Sequence, residues 1–326
     1  MNKKYTFITV SLLNDLESVC TSIFKFNKLY KINKYVIIVP KKDIKDFENK
    51  LNCFKNIEII EEDRVCSKKK FYNLCDSYFK NNQDYESFRK NWYYQQILKL
   101  NYISDTENFS NNNIVIWDAD TIPIRKIEFF DDENIPYIYG SGYEYYSPYF
   151  ATNKLLLGSK SSVLNLSCIT QFVALNLQIR KDIKKFFLDY NSKIKIKNSD
   201  LFIANVLLNV LSSSPKLKAS SPNIDFSEYE FIGNFILNNY KRSKKEQKRI
   251  KFFRNNVDGK LNLIQEKILC FLNYKHITYE NKYCNGKVQT YKNLFKCIFK
   301  DFLIYKYISK TKNRILKKIK IVFKLN

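Results

Sequence analysis

Short apolar runs alternate with amphipathic stretches over the first sixty residues. Residues 5–10, 35–39 and 57–60 have the pattern of buried strands. The two segments between them, 15–26 and 43–51, carry apolar residues at helical spacing. Strands that alternate with helices at this spacing predict right-handed crossovers and a mainly parallel sheet. The fold class is therefore expected to be α/β.

The pattern continues with longer helices and fewer strands. Residues 69–79, 88–100 and 198–211 have helical periodicity, and residues 114–117 form a continuous apolar run typical of a central strand. Residues 135–139 have the pattern of a further strand. The chain contains only six glycines and six prolines, which also disfavours a turn-dense β sandwich.

Charge is distributed unevenly along the chain. The formal net charge is +24, yet residues 241–326 carry 24 Lys and Arg against 5 Asp and Glu. We place a boundary near residue 284, with one domain over residues 1–283 and a tail over 284–326. The tail has apolar residues at helical spacing between lysines, so we expect a basic amphipathic helix that binds an anionic membrane surface.

Two absences in the sequence narrow the location and the chemistry. The N-terminus has no secretory signal pattern, and no apolar run reaches the roughly 20 residues that span a bilayer. We therefore expect a cytoplasmic protein that is peripherally associated with the inner face of the membrane. The eight cysteines form no C-x-x-C pair and His276 is the single histidine, so a zinc site is not expected.

The strongest chemical signal follows the strand at residues 114–117, where Asp118-Ala119-Asp120 begins. The carboxyl end of a strand is the edge at which open α/β sheets bind ligands. In an extended backbone residues i and i+2 point the same way, so Asp118 and Asp120 are expected to hold one Mn²⁺ or Mg²⁺ ion. The alternative is a pair of aspartates that cap a turn before Pro123.

A second signal lies in the helix at residues 88–100. Its polar residues at i, i+3, i+4 and i+7 share one face: Trp92, Gln95, Gln96 and Lys99. Amides and one ammonium group suit sugar hydroxyls or phosphate. From the spacing alone, a solvated face on a surface helix is the better explanation of this pattern.

The segment Ser227-Glu228-Tyr229-Glu230 allows two interpretations. If it is extended, Glu228 and Glu230 lie on one side; if it is helical, Ser227 and Glu230 form a capping box. An inverting sugar transfer needs a carboxylate that takes a proton from the acceptor hydroxyl, whereas a retaining transfer does not. Glu228 is the first candidate for that role, Glu230 is the second, and Asp120 is also counted among the catalytic residues.

These motifs, taken in order, resemble a family of bacterial GT-A-type glycosyltransferases long described as a domain of unknown function. The resemblance rests on the W-x-x-Q-Q-x-x-K helix, the D-x-D-T after an apolar strand, the segment 167–171, and Ser227–Glu230 with Gly233-Asn234. It covers residues 1–283 and leaves the tail out. One departure is clear, because Gln171 and Phe172 stand where relatives carry histidines after a threonine.

The resemblance implies a GT-A-like domain that binds a nucleotide-diphosphate sugar, with a divalent metal at Asp118 and Asp120. It also implies an acceptor or catalytic role near Glu228 and Glu230. A sugar would be transferred to a surface glycan such as lipopolysaccharide or capsule. The residues expected to contact the donor are Thr9, Ser11, Arg64, Trp92, Gln95, Gln96, Lys99, Asp118, Thr170 and Gln171.

Two other classes of function stay open from the sequence. A nucleic-acid-binding protein would use the basic tail with its interleaved Phe and Tyr, but it would leave the Asp pair and the glutamine helix unused. A nucleotidyl or phosphoryl transferase would use the same two aspartates. A dinucleotide or P-loop fingerprint is absent from the sequence: Gly140-Ser141-Gly142 lacks the third glycine and instead begins a Tyr-rich loop.

Overall fold

A computed structural model describes residues 3–79, 89–107, 113–141, 146–158, 166–194, 201–213, 223–240, 248–255, 260–279, 294–296 and 298–299. Its strands are β1 (Lys4–Val10), β2 (Lys31–Val39), β3 (Ile57–Glu61), β4 (Ile114–Trp117), β5 (Thr121–Pro123), β6 (Tyr139–Gly140), β7 (Phe172–Leu175), β8 (Lys248–Arg249), β9 (Phe253–Asn255) and β10 (His276–Tyr279). Its helices are α1 (Leu16–Leu29), α2 (Ile44–Leu51), α3 (Glu62–Val65), α4 (Lys68–Phe79), α5 (Lys90–Ser104), α6 (Ser147–Leu157), α7 (Leu177–Lys193), α8 (Phe202–Ser212), α9 (Glu228–Asn239) and α10 (Leu263–Phe271).

The central sheet has five strands in the order β3-β2-β1-β4-β7. The pairs β2–β3, β1–β2 and β1–β4 are parallel, and β7 runs antiparallel to β4 at the edge. The chain therefore has a mixed α/β fold with a mostly parallel central sheet, as the alternation of strands and helices predicts. The antiparallel edge strand was not predicted, because residues 167–175 lack a pattern that indicates direction.

Both faces of the central sheet are buried, which explains why its strands are continuous apolar runs. Along β4, Ile114 and Ile116 pack on one side with α5, α8 and α9, while Val115 and Trp117 pack on the other side with α1. All four residues are fully buried. A sheet covered by helices on both faces is the usual setting of parallel strands, and it leaves the ends of the strands as the open edges.

A smaller sheet, in the order β5-β10-β9, lies beside the carboxyl end of β4. His276 begins β10, is fully buried, and stacks on Phe252 with ring centroids 4.9 Å apart. Burial lowers the pKa of this imidazole to about 3. The single histidine is therefore a neutral core residue.

Several predicted boundaries need correction. The strand predicted over residues 135–139 is replaced by a two-residue strand, Tyr139–Gly140. Pro136 takes part in an isolated bridge to Phe130 instead. The predicted helix 198–211 appears as Phe202–Ser212, and the start of the prediction, residues 198–200, lies outside the described residues. The helix predicted over 88–100 runs from Lys90 to Ser104.

The predicted tail over residues 284–326 lies mostly outside the described residues. Its described part contributes one fully buried side chain, Leu294, to a cluster with Phe253, Leu261 and Leu269, and Ile298 packs against that cluster. Part of the apolar stripe therefore completes a core, which a role in membrane binding alone does not explain. In the described part of the chain, no helix combines the length and apolarity that crossing a bilayer requires.

Candidate active site

A cleft of about 690 Å³ opens at the edge of the central sheet where β1 and β4 end and β7 begins. Its described lining includes eight residues predicted from the sequence: Trp92, Gln95, Gln96, Lys99, Asp118, Asp120, Gln171 and Glu228. The glutamine face of α5 and the aspartate pair thus border one cavity, which excludes the simple solvated-surface interpretation of that face.

Asp118 and Asp120 reach the cleft from a tight turn and not from an extended strand. The strand ends at Trp117, and the Thr121 amide donates to the Asp118 carbonyl oxygen at 3.1 Å. The indole Nε1 of Trp117 donates to the Thr121 carbonyl oxygen at 2.6 Å and so anchors the turn to the core. Both carboxylates line the cleft at the end of β4, as expected. The i, i+2 alternation of an extended strand, however, is the wrong explanation for their common direction.

Lys99 is a buried cation that joins α5 to both acidic segments of the cleft. Its Nζ lies 2.6 Å from Asp118 Oδ1 and 2.6 Å from Glu228 Oε1, and 3.3 Å from the Tyr229 hydroxyl. Burial alone would lower the pKa of Lys99, but the charges of Asp118 and Glu228 more than offset this effect and raise it above its ordinary value. Lys99 is therefore a fixed positive charge at neutral pH.

Gln171 holds Asp118 from the opposite side. The backbone carbonyl of Gln171 accepts from the Asp118 amide at 3.0 Å. With its side-chain amide turned to satisfy both neighbours, Gln171 donates to Asp118 Oδ2 at 2.6 Å and accepts from Arg254 at 2.8 Å. The backbone of Gln171 has φ of 64°, a left-handed conformation that is unfavourable for a residue with a Cβ. The surrounding structure thus imposes this clamp.

The carboxyl of Asp120 lies where its surroundings disfavour a negative charge. Burial, together with the nearby charges of Asp118 and Asp15, raises the pKa of this carboxyl to about 7. We call Asp15, Asp118 and Asp120 the acidic end of the cleft. The described lining contains five acids, which are these three with Asp225 and Glu228, against the three bases Arg89, Lys99 and Arg254. The cleft is therefore acidic inside a strongly basic protein.

Glu228 and Glu230 point in different directions, because the segment is helical. Ser227 caps α9 by accepting from the Glu230 amide, which is half of the predicted capping box. Glu228 faces the cleft and Lys99, and burial raises the pKa of its carboxyl although Lys99 opposes that shift. Glu230 is fully buried and does not line the cleft.

Glu230 instead docks the loop that leads to Gln171. Its Oε2 accepts from the Cys168 amide at 2.7 Å and from the Ser167 hydroxyl at 2.9 Å. On the next turn of α9, Gly233 lies so close to Cys168 that a Cβ at this position would overlap the Cys168 side chain. The expected catalytic role of Glu230 is therefore corrected to a positioning role, since its carboxyl is turned toward this loop.

The α5 face contributes one polar atom that no described residue satisfies. Gln96 Oε1 accepts from the Glu228 amide at 2.9 Å, which fixes the direction of the side-chain amide. Gln96 is 2% exposed, and its Nε2 has no hydrogen-bond acceptor among the described residues. Buried amide nitrogens are rarely left without an acceptor, so a water or a ligand oxygen would supply one here.

At the other side of the cleft, aromatic rings surround a balanced ion pair. Arg89 donates to Asp225 Oδ2 at 2.5 Å and lies over the Trp92 ring at 4.1 Å. The Tyr149 ring is stacked near Trp92, with centroids 6.2 Å apart, and Tyr146 meets Tyr149 edge-on at 4.8 Å. We call Arg89, Trp92, Tyr146, Tyr149 and Asp225 the aromatic end of the cleft.

Four predicted donor contacts do not line the described cleft. Thr9 is fully buried and donates to the Trp117 carbonyl oxygen, and Thr170 donates to the Phe172 carbonyl oxygen. Ser11 is 3% exposed and turns to the Leu12 carbonyl oxygen, while Arg64 is exposed on α3. These hydroxyls satisfy backbone groups at strand ends, so their position beside β1 and β7 is correct but their side chains are directed away from the cavity.

Other lining residues were not predicted. Asp15 lies in the turn after β1 and was interpreted only as a helix start, and Arg254 lies in β9, far along the chain from the aspartate pair. Arg89 and Asp225 form an ion pair across 136 positions of sequence. No local pattern marks such a pair, although an acid directly after the first strand is a signal that could have identified Asp15.

Comparison with known proteins adds limited information. A family model described as a family of unknown function (DUF6492) matches residues 13–165, which include the α5 face and the aspartate pair but not Glu228. A search for curated relatives finds no match. Among solved structures, the crystal structure of mouse xyloside xylosyltransferase 1 in its apo form has a TM-score of 0.41 and 10% sequence identity, covering 88% of this chain and 100% of that chain. Because that TM-score is low, we base the function on the cleft.

Proposed function

We propose that this protein is a metal-assisted glycosyltransferase that moves a sugar from a nucleotide-diphosphate sugar to a glycan acceptor. The observation that carries the proposal is the aspartate pair at the carboxyl end of β4, which shares one cleft with the carboxylate of Glu228. The aspartate pair fits a cation that binds a diphosphate, and the carboxylate of Glu228 fits a general base. The resemblance of the sequence motifs to GT-A-type enzymes points to the same reaction.

The charge of the cleft supports a requirement for a cation. A diphosphate group would be repelled by a cavity in which acids outnumber bases, unless a cation enters with it. Among the described residues, no group of three or more His, Cys, Asp or Glu side chains is placed to hold a metal ion. Mg²⁺ and Mn²⁺ do not need one, because they bind through one or two carboxylates together with substrate phosphates and water.

The aspartate pair therefore fits a hard divalent cation, which would neutralise the diphosphate as it leaves. Asp120 would supply the charge, since its carboxyl is buried and unbalanced. Asp118 would be held in one orientation by Lys99 and by Gln171. A carboxylate fixed from both sides loses little conformational freedom on binding a ligand, so the site is pre-organised.

Glu228 would take the proton from the attacking hydroxyl of the acceptor. A general base works best when its pKa lies near the working pH, and burial moves the pKa of Glu228 upward in that direction. The charge of Lys99 opposes that shift and favours the ionised carboxylate, which is the form that a base must have. A positioned base of this kind fits transfer with inversion at the sugar carbon.

A surface-glycan acceptor on a lipid would place the enzyme at the inner face of the cytoplasmic membrane. The charge of residues 241–326 and the exposure of Phe295 and Phe299, 56% and 63%, support binding to an anionic surface. Sedimentation with phosphatidylglycerol vesicles tests this association, which salt should reverse. Equal binding to uncharged vesicles would contradict it. Truncation after residue 284 is a poor test, because it would remove the buried Leu294.

The activity is tested by release of nucleoside diphosphate from a panel of nucleotide sugars, with Mn²⁺, with Mg²⁺ and with a chelator. We expect release from at least one donor with metal and none with the chelator. Metal-independent release would contradict the cation requirement, and no release from any donor, with acceptor glycans present, would contradict the proposed reaction. The nucleic-acid alternative gains no support from an acidic cleft.

A further inference from the structure

The aromatic end of the cleft places three aromatic residues beside the cavity. Trp92, Tyr146 and Tyr149 all line the cavity, and Tyr146 is 36% exposed. Trp92 and Tyr149 are inclined to each other by only 20°, so their faces are nearly parallel. The face of an aromatic ring is electronegative and attracts the polarised C–H groups of a sugar ring.

The charge at this end is already balanced. Arg89 lies over one face of Trp92, and its guanidinium donates to Asp225, whose side chain is 1% exposed. The Tyr93 hydroxyl also donates to Asp225, at 2.5 Å, which holds the carboxylate in place. An ion pair with a buried partner adds no net charge, so the aromatic end offers no attraction for a phosphate or carboxylate group.

Helix α5 connects the aromatic end to the proposed base. Trp92, Gln96 and Lys99 follow one another at i, i+4 and i+7 on the cleft side of this helix, so Gln96 lies one turn from each of the others. The unsatisfied Nε2 of Gln96 is therefore placed between the aromatic rings and the acidic end. A hydroxyl oxygen of a sugar that rests on the rings would satisfy it, close to Glu228.

We propose that Trp92, Tyr146 and Tyr149 form the acceptor subsite and bind an uncharged pyranose ring, with Gln96 donating to one of its hydroxyls. This inference rests on the proposed function and names the class of acceptor. It moves Trp92 and Gln96 from the donor, where the sequence motif suggests them, to the acceptor. Arg89 and Asp225 are positioning residues that hold the Trp92 face.

The nucleobase of the donor is the competing occupant, because a base also stacks on aromatic rings. The sugar is favoured by the position of Gln96, which lies one turn of α5 from Trp92 and whose Oε1 accepts from the Glu228 amide at 2.9 Å. Through this helix the rings lie on the same side of the cleft as the carboxylate that must meet the acceptor hydroxyl.

The chain offers an internal probe for this subsite, since Trp92 and Trp117 are its two tryptophans. Trp117 is fully buried, so quenching of fluorescence by acrylamide reports mainly Trp92. We would measure protection from quenching by uncharged methyl pyranosides and disaccharides, by their phosphorylated forms, and by UDP, GDP, ADP and CMP with Mn²⁺. A Trp92→Phe variant defines the signal that Trp117 alone gives.

We expect protection by at least one uncharged sugar and no response in Trp92→Phe. Tyr149→Ala should weaken that binding by roughly threefold to tenfold. Tyr146→Ala, at a more exposed position, provides a second variant if Tyr149→Ala does not fold. Phe24→Ala is the matched control, because Phe24 is an aromatic residue of α1 that is 49% exposed and lies outside the described lining; it should bind the sugar as the wild type does.

Protection by nucleotides without protection by sugars would overturn the inference in favour of the base. Protection by phosphorylated sugars alone, or by no sugar in the panel, would also overturn it. In each case the proposed function stands if metal-dependent release of nucleoside diphosphate is still observed. Loss of that release as well would show that the function itself, and not only the subsite, is wrong.

Discussion

At the acidic end of the cleft, the charges of Asp118 and Asp15 help to raise the pKa of Asp120, whereas at the aromatic end the charge of Arg89 is matched by Asp225. The two ends also differ in exposure. The Lys99 side chain, which joins the acidic end to Glu228, is 4% exposed, and that of Arg89 is 39% exposed. One end therefore has an excess of acidic residues that the proposed cation would balance, whereas the other end has a matched ion pair and suits the proposed uncharged ring.

The substitution expected to have the largest effect is Asp120→Asn. An amide has the same shape but removes the charge that a dication and its diphosphate need, so metal-dependent turnover should fall to background. Asp46→Asn, the same change at an exposed position of α2, is the control and should keep full activity. Turnover is measured as nucleoside diphosphate release. Wild-type activity in Asp120→Asn would show that the charge of the acidic end is not needed, and would contradict the proposed difference between the two ends.

Glu228→Gln separates chemistry from binding at the junction of the two ends. Loss of a general base should lower kcat by roughly 10²- to 10⁴-fold. The donor should still bind with metal, because Asp118 and Asp120 are intact. Steady-state kinetics with a donor and an acceptor glycan test this expectation. An unchanged kcat would favour a retaining transfer, which needs no base at this position.

Replacement of the two basic side chains, Lys99 and Arg89, tests the comparison through the free energy of unfolding. Lys99→Met would leave Asp118 and Glu228 buried without their partner, which should cost about 3–5 kcal/mol. Arg89→Met should cost less, about 1–2 kcal/mol, because the arginine is partly exposed and Asp225 keeps its hydrogen bonds from Tyr93 and from the Phe226 amide.

Urea unfolding of both variants measures these free energies. Adding Glu228→Gln to Lys99→Met should restore part of the loss, because one unpaired charge is removed. Equal losses of unfolding free energy at the two positions, or no recovery of stability in the double variant, would contradict the conclusion that Lys99 balances two buried carboxylates.

Substitution of Glu230 is expected to have the smallest effect, and it tests the positioning role of this residue. Burial raises the pKa of its carboxyl to about 7. Between about pH 4.5 and pH 7 the native state retains a proton that the unfolded chain has released, so this group makes the protein less stable as the pH rises through that window. The side chain of Glu230→Gln does not titrate, so this variant lacks that loss of stability.

The melting temperature of Glu230→Gln relative to wild type should therefore rise by roughly 2–6 °C between pH 5 and pH 8. The exposed control Glu48→Gln should show no such trend. A difference that is independent of pH would contradict the raised pKa.

Part of this site could be predicted from sequence because its signals are local. An apolar run followed by two aspartates places them at the end of a buried strand, and helical spacing places Gln96 and Lys99 on one face of α5. The turn at Asp118 could not be predicted in detail, because it depends on the indole of Trp117 and on Gln171, which directly precedes β7.

The remaining features are non-local. Glu228 and Glu230 diverge because residues two apart on a helix lie on nearly opposite faces, and the sequence allowed both conformations. The Arg89–Asp225 pair and the position of Arg254 depend on how distant elements pack. The direction of β7 follows from packing against β4, which the pattern of residues does not encode.

The most direct test of the central claim is a thermal-shift screen of the wild type and Asp120→Asn against a panel of nucleotide sugars, each with Mn²⁺ and with a chelator. We predict that at least one donor stabilises the wild type with Mn²⁺ only, and that Asp120→Asn loses this shift while it melts at or above the wild-type temperature without ligand, since an unbalanced buried charge has been removed. Stabilisation by a donor in the presence of the chelator, or an equal metal-dependent shift in Asp120→Asn, would contradict the account.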